Sequence, residues 1–343
     1  MGDRLTEIIE TILLHPGAEA IQDVILGVVL LALGGEGIVR GAVGLARRFN
    51  LSPLLVGIVI VSVGTSAPEF GVAVMSVLVD QIDIGVGTAI GSNIANVLLI
   101  LALGALLRPL FIRDAAIVRD GLAFVAAAGL LVWVLYQLGG LDVAIGGIFV
   151  GVLIFYLIVC LVSELTLHDA DQPAAERSGD AATVGGLIGQ NAVSSVLFVV
   201  IGIVALFFGA YFIIEGTVGF ARQQGIGEAA LSLSVVALGA CLPELVAMLF
   251  GVIRKQPDLV IGNVIGSSII NIFGVLGLAA LLSPQGIDLA RVFSWDILVM
   301  FAAALILIPF MLTGRRLSRL EASLMLAAYV GYVYYVLNFH PSF

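Results

Sequence analysis

Charge is what this sequence has least of. Of its 343 residues only 11% are charged and 61% are hydrophobic, against roughly 25% and 45–50% in a soluble domain. That deficit excludes a soluble surface. Apolar stretches of roughly 20 residues, long enough to cross a bilayer, recur along the whole chain. Basic residues are scarce as well: 15 Lys and Arg against 24 acidic residues, a net charge of −9. Nucleic acid is excluded as a partner, because phosphate binding needs basic patches. The pairs Arg47–Arg48, Arg254–Lys255 and Arg315–Arg316 each flank an apolar stretch and read as membrane-flank charges. Cysteine is nearly absent. Cys160 and Cys241 both lie inside apolar segments, where a free cysteine serves as a small buried residue, and no spacing suggests zinc. His15, His168 and His340 lie outside the apolar segments, which leaves no histidine-based site. A basic leader is missing too, since Asp3, Glu7 and Glu10 surround Arg4, so the start is not a signal peptide. Leu5, Ile8, Ile9, Ile12 and Leu13 make one apolar helical face. Residues 4–14 are therefore predicted to be a short helix lying on the membrane, within an amphipathic segment 1–23.

What is present is an all-α membrane pattern. Ten spans are predicted at about 24–46, 53–79, 84–107, 120–138, 142–163, 193–220, 229–252, 258–282, 292–312 and 320–338. The polar stretch 164–190, with Glu164, His168, Asp169, Asp171, Glu176, Arg177 and Asp180, is predicted to be a cytoplasmic linker. It separates two halves of five spans, 24–163 and 191–343. Placing the N-terminus outside puts 12 of the 15 Lys and Arg in inside loops and flanks. The positive-inside rule thus predicts both termini outside.

The two halves repeat each other at an offset of 175. Gly34, Gly41 and Gly44 meet Gly209, Gly216 and Gly219; Gly64, Pro68 and Glu69 meet Gly239, Pro243 and Glu244. Gly91, Ser92, Ile94 and Asn96 meet Gly266, Ser267, Ile269 and Asn271. Five spans per half is an odd number, so the second half enters the membrane from the opposite side. Inverted-topology repeats of this kind build transporters that alternate access around a midplane site. The matched positions include polar and helix-breaking ones, which a duplication made only for packing had no need to keep.

Glu69 and Glu244 lie near the middle of their spans, each directly after a proline. A midplane carboxylate is expensive and marks a functional site by default; the bland alternative is a protonated side chain bonded to backbone. Proline lacks an N–H, so Pro68 and Pro243 free the carbonyls of Gly64 and Gly239. Broken helices of this kind are tolerated where they line a cavity. Thr65 and Ser66 precede Glu69 by four and three residues and share its face. Ser92 with Asn96, and Ser267 with Asn271, are i, i+4 pairs, suited either to the same site or to gluing helices together. The donors are all oxygen, which selects hard cations over soft transition metals. Glu36 and Glu215 are not equivalent at the offset, and either a structural or a transport role fits them.

With these motifs the chain resembles the cation/calcium exchanger superfamily, prokaryotic sodium/calcium exchangers in particular. Its two alpha-repeats look like Gly64–Glu69 with Gly91–Asn96, and Gly239–Glu244 with Gly266–Asn271. The resemblance implies ten spans, with the first and sixth sliding over a core. It implies calcium on Glu69 and Glu244, helped by Thr65. It also implies sodium on Ser66, Ser92, Ser267, Asn96 and both glutamates, with the carbonyls of Ser62 and Ala237 as further ligands. No cofactor or catalysis is implied, and the setting implied is a prokaryotic cytoplasmic membrane. The second repeat departs from the pattern. Relatives usually carry Gly-Thr-Ser where this chain has Gly239-Ala240-Cys241, and many carry Asp at Asn271. Both carboxylates survive, but two hydroxyls are missing, so sodium and protons both stay open as the counter-ion. An intramembrane enzyme would need a nucleophile with a base or paired aspartates, and the polar core offers neither. A passive channel is disfavoured by the inverted repeat.

Overall fold

The computed structural model describes residues 18–111, 115–167, 191–223, 237–289, 294–312 and 316–339. The surface helix expected at 4–14, the linker beyond Leu167 and the three histidines lie outside the described residues.

Two helices of 32 residues dominate one side, α1 (Ala18–Phe49) and, later in the chain, Ala192–Gln223. At 1.5 Å per residue each is about 48 Å long, more than the roughly 30 Å hydrocarbon layer. Between them come α2 (Pro53–Thr65), α3 (Ala67–Leu78), α4 (Ile82–Leu107), α5 (Ala115–Leu138) and α6 (Val143–Leu167), which makes Ala192–Gln223 α7. There follow α8 (Ala237–Ala240), α9 (Leu242–Ile253), α10 (Pro257–Leu282), α11 (Ser294–Leu312) and α12 (Arg319–Phe339). Six of the described helices are long and apolar enough to cross a membrane, and the bent pair α2–α3 makes a seventh if it is one span. The described parts of the apolar segments predicted from the sequence are helical, apart from the breaks at Ser66 and Cys241 and a residue or two at their ends.

The proline positions decide where helices break. Pro68 sits in the first turn of α3 and Pro243 in the first turn of α9. The residues before these turns, Ser66 (φ −80°, ψ 3°) and Cys241 (φ −89°, ψ 0°), leave the helical region at positions 175 apart. The axis bends by 40° between α2 and α3. π-helical turns open at Asn96 (Asn96–Leu101) and Asn271 (Asn271–Leu276), again 175 apart. Such bulges insert one extra residue per turn and recur at functional sites.

Close backbone contact holds the layers together. Along α1 and α7, which run antiparallel, a Cβ at Gly34 would lie 2.8 Å from the Gly202 carbonyl, and one at Gly209 would lie 2.8 Å from the Leu31 amide. Only glycine permits that approach, the usual device where lipid offers no hydrophobic drive to helix pairing. On the opposite side α10 is the most enclosed helix, with every residue from Leu259 to Ile270 buried. Phe149 of α6 meets Phe273 of α10 edge to face at 5.3 Å. Two short antiparallel ladders join the halves: β1 (Leu110–Phe111) with β4 (Arg316–Leu317), and β2 (Gly140–Leu141) with β3 (Ile287–Asp288).

Candidate cation site

The helix breaks bring the polar side chains to one place. Glu69 lies in the first turn of α3 and Glu244 in the first turn of α9. Helix N-termini favour negative charge, because their first N–H groups are unpaired. Both carboxylates are 1% exposed, and Thr65, Ser66, Ser92, Asn96, Ser267 and Asn271 are buried with them. Burial of this kind demands partners, since an unpaired buried polar group costs roughly 1–3 kcal/mol and a charge more.

Few partners are found within the protein. Ser92 Oγ donates to Glu69 Oε1 at 3.2 Å and lies 3.5 Å from Cys241 Sγ. Thr65 Oγ1 lies 3.4 Å from Ser267 Oγ. Among the described residues, Glu69 Oε2, both oxygens of Glu244, Ser66 Oγ and the whole side-chain amides of Asn96 and Asn271 are buried with no hydrogen-bond partner. Orphaned oxygens concentrated around two carboxylates have the chemistry that a hard cation, with its six to eight oxygen ligands, requires.

The other predicted residues divide. The Ser62 carbonyl faces its own helix turn, accepting the Ser66 amide at 2.9 Å, and its hydroxyl donates to the Ile58 carbonyl. Ala237 starts α8, the short turn before the Cys241 break. Glu36 is ion-paired, to Arg40 on its own helix and to Arg254 at the end of α9; Glu215 is exposed. Cys160 and Cys241 are both free and buried. Cys241 nevertheless borders the site, where the first half has Ser66.

One site-lining residue escaped the sequence reading. Asn263 is 2% exposed, its Oδ1 lies 3.2 Å from Thr65 Oγ1, and its Nδ2 has no partner. It precedes Ser267 by four residues and Asn271 by eight, so the face that carries those two carries it as well. The repeat hid it, because its equivalent at the offset is Thr88.

Comparison with known proteins assigns the chain to a family. The sodium/calcium exchanger protein family matches residues 21–162 and 194–338. The chain belongs to that family. Inner membrane protein YrbG of Escherichia coli (strain K12) is 34% identical over 286 residues, 82% of this chain and 85% of that protein. The sodium/calcium exchanger MaX1 of Methanosarcina acetivorans is 28% identical over 336 residues, 90% of this chain and 96% of its own. Among solved structures, the sodium-calcium exchanger NCX_Mj superposes with a TM-score of 0.79 at 24% identity, covering 94% of this chain and all of that one. At that identity the likeness speaks for the fold. Membership makes the chain an integral membrane protein of a family of cation/calcium antiporters, not of catalysts, handling inorganic cations within the bilayer.

Proposed function

We propose that this exchanger-family protein moves calcium against sodium by alternating access, with Glu69 and Glu244 sharing the ions at the membrane midplane. Ten spans in two inverted repeats of five carry the site: α1, α2–α3, α4, α5 and α6, then α7, α8–α9, α10, α11 and α12. The equal offset of the two helix breaks and of the two π-helical turns supports this count. Both chain ends lie outside in this arrangement, and the 164–190 segment inside.

The observation that carries the reading is the set of buried, unpartnered oxygens around the two carboxylates. Two carboxylates balance one calcium ion, or hold monovalent ions in its place, so the two cargoes compete for one charge. Thr65 supports calcium. Ser66, Ser92 and Ser267 offer hydroxyls, Asn96 and Asn271 offer amide oxygens, and the Ser62 and Ala237 carbonyls complete the inventory.

A second reading has its own observation. The 240–241 positions hold alanine and a thiol beside Ser92, where hydroxyl ligands for sodium are expected. A proton needs neither, so proton-coupled calcium exchange is the alternative. Purified protein in liposomes separates the two. Calcium uptake that requires internal sodium, and disappears in both Glu69→Gln and Glu244→Gln, fits sodium coupling. Uptake driven by a pH gradient without sodium replaces it with proton coupling, and no uptake under either gradient removes calcium as the cargo.

A further inference from the structure

The side chains around Thr65 form a set that has no counterpart in the other half. Thr65 Oγ1 is within 3.2 Å of Asn263 Oδ1 and 3.4 Å of Ser267 Oγ. All three side chains are buried, at 1%, 2% and 0% exposure. The approach is built into the backbones. A Cβ at Gly57 would lie 2.7 Å from the Leu259 carbonyl and 3.1 Å from the Asn263 amide, and one at Gly262 would lie 2.5 Å from the Leu54 carbonyl. Glycine on both helices lets α2 and α10 touch where Asn263 meets Thr65.

A threonine hydroxyl has one hydrogen to give and two lone pairs to offer. Where its hydrogen goes decides whether it can serve a cation. Asn263 Oδ1 at 3.2 Å is a nearer acceptor than the Ser62 carbonyl at 3.4 Å, and a hydrogen given to Asn263 is not spent on Ser267, which leaves the Thr65 lone pairs for an ion. Two oxygens 3.4 Å apart are spaced as neighbouring ligands of one ion lying about 2.4 Å from each. At the equivalent position of the first half, the Thr88 hydroxyl is spent on its own helix, donating to the Ile84 carbonyl at 2.8 Å. The residue that would face it from the other half is Ala240, which has no hydroxyl to orient.

We propose that Asn263 is a positioning residue for monovalent-cation binding: it takes the Thr65 hydroxyl hydrogen and turns that oxygen, with Ser267, toward the counter-ion. The inference rests on the sodium-coupled reading and names the corner of the site where sodium is held best, the corner opposite the missing hydroxyls.

The test uses the full-length protein in liposomes, with the sodium concentration for half-maximal calcium uptake and the calcium KM measured separately. Asn263→Leu keeps the volume and removes the acceptor. It is expected to raise the half-maximal sodium concentration about five- to tenfold, the effect of losing one oriented hydrogen bond, while the calcium KM, set mainly by the two carboxylates with Thr65 only assisting, rises by a smaller factor of about two. Asn263→Asp keeps only acceptor atoms and is expected to hold the sodium response at or below the wild-type concentration. Equal shifts for both ions in Asn263→Leu, or no sodium shift, would overturn the proposal. So would a loss in Asn263→Asp matching that in Asn263→Leu, because the amide N–H would then be the working group. A wild type with no sodium dependence sinks the coupled reading itself, a different result from an unshifted variant of a sodium-dependent protein. If Asn263→Leu does not fold, Asn263→Asp together with Asn263→Thr, the residue of the other half, supplies the same contrast.

Discussion

Two carboxylates stand at equivalent positions of the two halves, yet their surroundings differ. Near Glu69, Ser92 donates a hydrogen bond, and Thr65 and Ser66 supply hydroxyls in the same helix break. The break before Glu244 holds Ala240 and Cys241, and among the described residues no hydrogen bond like that of Ser92 to Glu69 reaches either Glu244 oxygen. The helix breaks recur at the offset of 175, while the side chains around them do not. If both carboxylates hold the ion as proposed, Glu69 is held partly by protein and Glu244 depends more on the ion.

The largest effect should come from the carboxylates themselves. Glu69→Gln and Glu244→Gln are each expected to lower calcium transport by at least about 100-fold, since removing one member of a buried charged set costs roughly 3–5 kcal/mol. The difference between them sharpens the comparison. Glu69 is the carboxylate that accepts from the Ser92 hydroxyl at 3.2 Å, so Glu244→Gln should raise the melting temperature of the ion-free protein more than Glu69→Gln does. Equal shifts in ion-free thermal unfolding would show the two carboxylates to be equivalent after all.

Where the halves do match, substitutions should match. Gly34 and Gly209 are equivalents, and a Cβ at either meets backbone of the facing helix at 2.8 Å. Gly34→Ala and Gly209→Ala are each expected to destabilise by about 1–3 kcal/mol through overpacking, and to agree with each other within about 1 kcal/mol. Gly151→Ala on α6, with nothing within 4 Å of its Cβ, is the control and should gain slightly in helix propensity. Thermal unfolding in detergent reads all three, and a wide gap between the first two would break the pairing of α1 with α7 as a symmetric unit.

Much of this was legible in the sequence because membrane helices announce themselves by hydropathy and prolines by their missing N–H. Pro68 and Pro243 placed both breaks, whereas the π-helical turns at Asn96 and Asn271 obey the same offset without any signal in the sequence that announced them. Two further features were not legible. Asn263 was hidden by the repeat that revealed its neighbours, because matching positions rewards what the halves share. The ion pair of Glu36 with Arg254 joins residues 218 apart, and sequence spacing carries no information at that range. The ladders that tie β1 to β4 and β2 to β3 are invisible for the same reason: two residues each are too few for a strand pattern.

Restoring the missing hydroxyls is the next, smaller perturbation. Ala240→Thr with Cys241→Ser rebuilds in the second half what Thr65 and Ser66 supply in the first. Each restored oxygen adds a hard ligand where the present sulfur is a weak one. The double variant is expected to lower the half-maximal sodium concentration by about three- to tenfold and to leave the dependence on a pH gradient flat. If transport in the unaltered protein follows the pH gradient and the double variant turns to sodium, these two positions set the counter-ion.

The smallest expected effect concerns a charged link between α1 and α9. Arg254, at the end of α9, donates from Nε to Glu36 Oε2 at 2.9 Å, and Arg40 joins the same carboxylate. The equivalents at the offset are Tyr211 for Glu36 and Val79 for Arg254, both exposed, so the pair exists on one side only. If α1 and α7 move as a unit against the helices that hold the site, a link on one side favours the arrangement in which it is made. Both side chains are partly exposed, at 33% for Arg254 and 20% for Glu36, so solvent screens the pair and its contribution is about 1 kcal/mol or less. That corresponds to up to about a fivefold change in the ratio of inward to outward calcium transport rates. Glu36→Gln and Arg254→Gln should each shift the ratio in the same direction, and the double variant no further than either alone. Additive shifts would mean that the two charges act separately, and that the asymmetry of the molecule resides in the ligands alone.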